Sequence, residues 1–216
     1  MSKGRLIGII AAVVFVLYAV ISSTIVKEGQ EALLTGEKVF DPSEVAKNFW
    51  KEKSKAYFEK EAVDLVTLLT EANGDFSSVA KKYGHYSMGD SGALSFIVKG
   101  SGKITEVKNK LRSGFFVFDL NGNPSEDIKT RIQVGPVFKG SAVRDSISLI
   151  NYDDYKNQIE WAEVSKALHD KVLSDIIAPV KPGELAGKKI EFIGCFTVGS
   201  QPDTLHITPV SIKVLE

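Results

Sequence analysis

One cysteine, two methionines and three histidines are all that 216 residues offer toward thiol, disulfide or soft-metal chemistry. With Cys195 alone, no intrachain disulfide can form. It lies in Ile190-Glu-Phe-Ile-Gly-Cys-Phe-Thr-Val198, an apolar run expected to be a buried strand, which makes it a small core residue rather than a reactive thiol. A lone cysteine also suits an exported domain, since it has no partner with which to mispair in an oxidising compartment. His85, His169 and His206 have no second ligand at metal spacing, so neither a metal nor a cofactor is expected.

An excess of charge of either sign is missing as well. The 27 basic and 27 acidic side chains cancel, and two of the basic ones, Lys3 and Arg5, belong to the N-terminal segment. A surface that tracks phosphates needs clustered Lys and Arg, so, a local patch aside, nucleic acid is excluded as the expected partner. There is no Gly-x-Ser-x-Gly elbow and no phosphate-cradling glycine loop ahead of a helix. The stretch Asp119 to Asp127 has the oxygens of a calcium loop, but Pro124 stands where the sharp turn requires glycine, so a surface turn is expected. Gly100-Ser-Gly102 separates two β-rich runs and predicts a hairpin turn. No catalytic residue set emerges, so a binding or accessory role is favoured over an enzyme.

What is present begins with an uncharged run. Leu6 to Val26 is 21 residues without a charge, enough for a helix to span the roughly 30 Å hydrocarbon layer. Lys3 and Arg5 precede it, which keeps the N-terminus cytoplasmic and sends residues 27 to 216 across. A lipid-modified protein needs a cysteine at the end of such a run, and the only one is Cys195. Val20-Ile-Ser22 offers small residues for a signal cleavage, but the run is longer than a typical signal core, so a retained signal anchor is favoured. A buried core helix is not normally apolar on every face.

The remainder divides into a helical extension, 27–93, and a β-rich part, 94–216, expected to form one globular unit. Asp41, Pro42 and Glu44 supply a cap, a first helical residue and an acidic first turn. Val45, Phe49, Trp50 and Tyr57 follow near helical spacing; Ala62, Leu65, Val66 and Leu69 mark a second helix ending near Asn73-Gly74. Phe76, Val79, Ala80 and Tyr83 make a third piece closed by Gly84.

From Leu94 the pattern shortens to β-rich runs over 94–99, 103–108, 114–120 and 127–134, with further β-like signal in 137–150. A helix is expected from Tyr155 to Ile176, burying Ile159, Val164, Ala167, Leu168, Val172 and Leu173, while His169-Asp170 faces water. Two strands close the chain, 189–198 and 205–214. Strands, one helix, then two strands is the order of the small OB-type barrel. The fold expected is therefore α+β and β-dominated: an OB-like closed antiparallel barrel with an N-terminal helical extension, preceded by one transmembrane helix. A less regular closed barrel is the alternative, because 137–150 holds more β-like signal than an OB fold needs.

Two segments carry the polar chemistry. In Gly135-Pro-Val-Phe-Lys-Gly140-Ser-Ala-Val-Arg144-Asp145, the adjacent Arg144 and Asp145 suit either a sugar or anion contact or a pair that pins a corner, and the corner is favoured. In Asn151-Tyr-Asp-Asp-Tyr155-Lys-Asn157-Gln158-Ile-Glu-Trp161, Asp153 or Asp154 can cap the helix. Asn157 and Gln158 offer amides, and Tyr155 and Trp161 offer ring faces of the kind that hold a carbohydrate. Aromatics at a helix start more often belong to packing. The candidate ligand residues are thus Arg144, Asp145, Tyr155, Asn157, Gln158 and Trp161.

Across those two segments, with Gly100-Ser-Gly-Lys-Ile-Thr-Glu-Val107 and the helix run through Leu168, the chain resembles a bacterial family of predicted periplasmic lipoproteins, domain of unknown function 2291. The resemblance runs from about Phe40 to the C-terminus. It implies an extracytoplasmic β-barrel protein, and, from a frequent association of such proteins with sugar uptake transporters, an accessory role with a transporter or other envelope protein as partner. The missing lipid-attachment cysteine is a departure from the family.

The function expected is a membrane-anchored extracytoplasmic accessory or small-ligand-binding module, its partners the membrane through residues 6–26 and a small polar ligand such as a sugar. The alternatives are an envelope hydrolase using Asp145 or Glu160 with a bound water, or a scaffold docking a membrane partner through its amphipathic N-terminal helix.

Overall fold

The computed structural model describes residues 3–23, 40–88, 91–125, 127–199 and 203–215. They fall into two compact units, divided between Phe40 and Asp41. In the first, helix α1 runs Lys3–Ser22. Its apolar side chains from Ile9 to Ile21 are exposed around the helix, Phe15 at 71% and Ile21 at 82%. The rest of the expected anchor, Thr24 to Val26, and the side chains of Leu6 and Ile7 lie outside the described residues. Among the described residues, no helix is long and apolar enough to cross a membrane.

The second unit opens with short helices whose ends follow their capping residues. Helix α2 (Pro42–Glu52) starts where the Asp41 carboxylate accepts from the Ser43 N–H, with Pro42 in the first turn. Ala46 and Phe49 are its buried residues, and it packs against the long helix described below. Helix α3 (Ser54–Glu61) buries Phe58. A two-residue strand β1 (Val63–Asp64) leads to α4 (Leu65–Ala72), capped by Asp64 and ended by Asn73 at φ 43° and Gly74 at φ 85°. A single turn, α5 (Ala80–Tyr83), runs into the edge strand β2 (Gly84–Met88).

The remaining strands are β3 (Ser91–Lys108), β4 (Ser113–Leu120), β5 (Lys129–Pro136), β6 (Lys189–Thr197) and β7 (Thr204–Leu215). They pair in the order β3-β4-β5-β7-β6, and β6 pairs back onto β3, so the pairings close into a five-stranded ring. Inward residues alternate along the strands, as Phe116, Phe118 and Leu120 do on β4. Fully buried Phe96, Ile104, Phe116, Ile132, Ile190, Phe196 and Ile207 fill the interior. The sequence predicts an antiparallel barrel, and the structure corrects this: β5 and β7 run parallel.

Two further expectations about the β-rich part are corrected. Gly100-Ser-Gly102 is no hairpin turn; it lies inside β3, which pairs with β6 over 95–103 and with β4 over 102–108. Gly102 permits the handover, since a Cβ there would collide with the Asp119 carbonyl oxygen. The β-like run 137–150 contains no strand. It forms a loop, a helical turn α6 (Ala142–Asp145) and further turns, with Ala142, Val143 and Ile147 buried beneath it. The apolar content came from packing under a loop, not from strand alternation.

The long helix α7 (Gln158–Lys171) begins three residues later than expected and continues as a π-turn, Val172–Ile177. Its cap is Asn157, whose side-chain oxygen accepts from Ile159 and Glu160 N–H groups at 2.9 and 3.0 Å; Asp153 and Asp154 sit in a separate 3-10 turn. Ile159 is 58% exposed rather than buried.

His169 is turned inward, its ring 4.9 Å from that of Phe138, with Nε2 buried and without a hydrogen-bond partner among the described residues. Burial, reinforced by Arg144 and opposed by Asp170, brings its pKa down to about 4. The fold therefore holds the neutral imidazole, while the unfolded chain protonates near 6.5. Stability is fully retained above pH 6.5 and declines as pH falls toward 4, by about 2 kcal/mol after allowing for partial solvent screening. His85 and His206 are shifted the same way by burial and steepen the decline; Asp145, held above the usual carboxyl range, opposes it. In urea melts at pH 7 and 4.5, His169→Phe should narrow the stability difference by roughly that amount. An unchanged difference would show that His169 is not the group responsible.

Candidate functional site

Residues 137–157 bridge β5 and α7, and within them α6 sets Arg144 and Asp145 against the start of that helix. Both are buried, at 8% and 9% exposure. Arg144 Nε and Nη2 both donate to Asp145 Oδ1, at 2.8 and 2.6 Å, and Nη1 donates to the Trp161 carbonyl at 3.0 Å. The guanidinium lies 4.1 Å from the centre of the Trp161 ring, a stacked cation–π geometry that a lysine does not reproduce. Burial raises the Asp145 pKa, and the Arg144 charge and hydrogen bonds pull it back.

Trp161 is itself 5% exposed. Tyr152 meets it edge-on at 5.7 Å and Tyr155 lies tilted at 5.2 Å. Its ring is thus enclosed by Arg144 and two tyrosines.

A cavity of about 680 Å³ opens beside this cluster. One wall carries Arg144, Asp145, Ser148, Asn151, Tyr152 and Trp161; the other is built from α5 and β2, with His85, Tyr86 and Met88. That size is in the range of small-molecule sites. Burial lowers the His85 pKa, so its imidazole is neutral near pH 7.

Of the six residues singled out in the sequence, Arg144, Asp145 and Trp161 line the cavity; Tyr155, Asn157 and Gln158 do not. Asn157 is occupied as the α7 cap, Gln158 is exposed on the first helical turn, and Tyr155 backs the indole. Glu160, the alternative acid, also lies outside the cavity, and its Oε2 accepts from the Lys156 N–H at 3.0 Å. The residues missed are His85, Tyr86 and Met88. β2 is a short edge strand with no buried alternation, so the only available signal was two large side chains, Tyr86 and Met88, on a polar segment.

Among the described residues, no group of three or more His, Cys, Asp or Glu is placed to hold a metal. Cys195 is fully buried, and burial pushes its thiol up to about 12, which removes it as a nucleophile.

The family profile described as predicted periplasmic lipoprotein (DUF2291) matches residues 11–213. A crystal structure of an OB-fold protein from Thermotoga maritima superposes with a TM-score of 0.63 at 18% identity, covering 82% of this chain and 100% of that one. The ring is therefore an OB fold, with the helical segments as additions to it. No curated protein matches the chain.

Proposed function

The chain belongs to the DUF2291 family of predicted periplasmic lipoproteins, and from that premise we propose that it is an envelope accessory protein which binds a small hydroxyl-rich ligand, such as a sugar, in the 680 Å³ cavity. The observation that carries this reading is the buried Arg144–Asp145 pair at the cavity wall. Three of the five guanidinium N–H groups are used, by Asp145 Oδ1 and the Trp161 carbonyl, and Asp145 Oδ2 accepts no hydrogen bond among the described residues. A hydroxyl can donate to Oδ2 and accept from a spare N–H at once. An anion is disfavoured, because the adjacent carboxylate cancels the arginine charge. Tyr86 and Tyr152 add two aromatic side chains to the lining.

Membrane attachment is part of the same proposal. The family description implies a lipid anchor, but the single cysteine, Cys195, is buried in β6 and none stands at the end of the apolar run. We assign attachment instead to the N-terminal uncharged segment 6–26, the described part of which carries apolar side chains on its exposed faces. A role beside an uptake transporter fits this placement and is testable by crosslinking. The hydrolase reading has no such support, since Glu160 and Asn157 stand outside the cavity that holds Asp145. The scaffold reading loses its docking face, since Ala46 and Phe49 of α2 are buried within the unit.

Two measurements test the proposal. In a thermal-shift panel, a neutral monosaccharide or polyol at about a hundred times its Kd should stabilise by about 2.7 kcal/mol, or roughly 5–10 °C. Asp145→Asn should abolish that shift, while sulfate and phosphate should give none. Stabilisation by the anions alone, or by nothing in the panel, refutes the ligand reading. Co-flotation of the full chain with neutral phosphatidylcholine vesicles separately tests the anchor.

A further inference from the structure

Outside the cavity, the most unusual surface is one end of the ring, where the loop 109–112 between β3 and β4 meets the loop 137–140 after β5. The Val137 N–H donates to the Arg112 carbonyl at 3.0 Å, and Ser113 and Pro136 are register partners, so the two loops form one edge. That edge exposes two aliphatic side chains, Leu111 at 50% and Val137 at 41%. Around them stand Lys110, Arg112 and Lys139, all exposed and none in an ion pair among the described residues. Nearby carboxylates are already answered: Glu106 pairs with Lys108, and Glu184 with Lys181.

The positive field extends along the ring. Arg131, the register partner of His206, lies 4.7 Å over the Phe115 ring. After burial, Lys139 and Arg131 are what hold His206 below its usual pKa, with no carboxylate acting against them. The platform is also pinned. Buried Gln133 accepts from the Lys139 N–H at 2.7 Å and donates to Thr208 Oγ1 at 2.9 Å, while buried Phe138 anchors the loop between Val137 and Lys139.

Exposed aliphatics set among unpaired cations on a pinned edge match the chemistry of a bilayer surface, with apolar interface below and phosphates above. We propose that this edge docks onto an anionic phospholipid surface. Leu111 and Val137 enter the interface, and Lys110, Arg112 and Lys139 meet headgroup phosphates. The proposal rests on the envelope placement but not on the cavity's ligand.

The test uses the full chain carrying Leu111→Cys, labelled with an environment-sensitive fluorophore; native Cys195 is buried and does not compete. The protein is reconstituted in vesicles of phosphatidylcholine alone, or with a third phosphatidylglycerol, each containing a lipid-borne quencher. Quenching is expected in the anionic vesicles and should fall to the neutral level in 0.5 M salt. Each cation near an anionic leaflet contributes about fivefold, so K110E/R112E/K139E, which removes three cations and adds three anions, should weaken docking by at least on the order of a hundredfold. Equal quenching in both vesicles, no quenching in either, or quenching that survives the triple reversal overturns the proposal. Failure of the unlabelled chain to float with neutral vesicles would strike the anchor, whereas loss of the anionic difference strikes this edge.

Discussion

Arg144→Met is expected to destabilise the protein by about 3–5 kcal/mol, a drop of roughly 10–15 °C in Tm. The reason is what it leaves behind. Asp145 is 9% exposed and has its Oδ1 in two hydrogen bonds from the guanidinium. Without Arg144 that carboxylate is buried and unpaired, the Trp161 carbonyl loses its donor, and the indole loses the cation on its face. Arg144→Lys keeps the charge but not the planar fork, so it should recover only part of the loss. The double replacement R144M/D145L removes both charges together and should lie within about 2 kcal/mol of the parent, because a buried pair exchanged for apolar groups is often neutral. The same double variant should lose the ligand-induced thermal shift altogether. Stability and binding thus separate in one cycle: a single variant that costs under about 1 kcal/mol would mean the pair is solvent-screened, and a double variant that still binds would place recognition elsewhere in the cavity.

How much of this was legible in the sequence depends on the range of the interactions involved. Features set within one turn or one strand came through. The Asp41-Pro42 start, the Asn73-Gly74 stop and the β-rich run 114–120 are local signals, and all three stand. The OB arrangement also came through, because strands 1–3, a helix and two more strands leave few ways to close a ring. Features decided by distant neighbours did not. Gly100 and Gly102 look like a turn, yet they are there because Leu120, Phe192 and the Asp119 carbonyl press against β3. Trp161 looked like a ring face for a ligand, and its face is taken by a side chain 17 residues upstream. Asn157 reads in the sequence as an amide contact, but at a helix start the nearest donors are backbone N–H groups, and it caps α7 instead. The second wall of the cavity comes from residues 77–88, some 60 positions before Arg144, and nothing in the segment itself announces that meeting.

That second wall is the subject of the other large effect. Phe196→Ala should lower stability by about 3–5 kcal/mol, since the residue is fully buried and its removal opens a hole in the core. The position joins three parts of the chain. Phe96 on β3 is the register partner of Phe196 on β6, their rings stack at 5.5 Å, and Phe76, which follows α4, meets both at 5.7 and 5.5 Å. Phe76 is thus one side-chain link between the helical segment and the ring, beside the β1–β3 and β2–β3 pairings, and α5 and β2 follow it directly to form the cavity wall. Truncating Phe196 should therefore loosen residues 65–88 more than the far side of the ring, raising amide exchange there while β4–β5 amides keep their order of protection. Ligand affinity should fall with it, although no altered side chain touches the cavity. Phe196→Leu restores most of the volume and should recover both the exchange protection and the binding. A variant that exchanges uniformly faster throughout, with binding unchanged per folded molecule, would show that the aromatic cluster serves overall stability and does not position the wall. Selective loosening with weakened binding would instead tie the helical addition to the site, because the five strands close their ring of pairings without it.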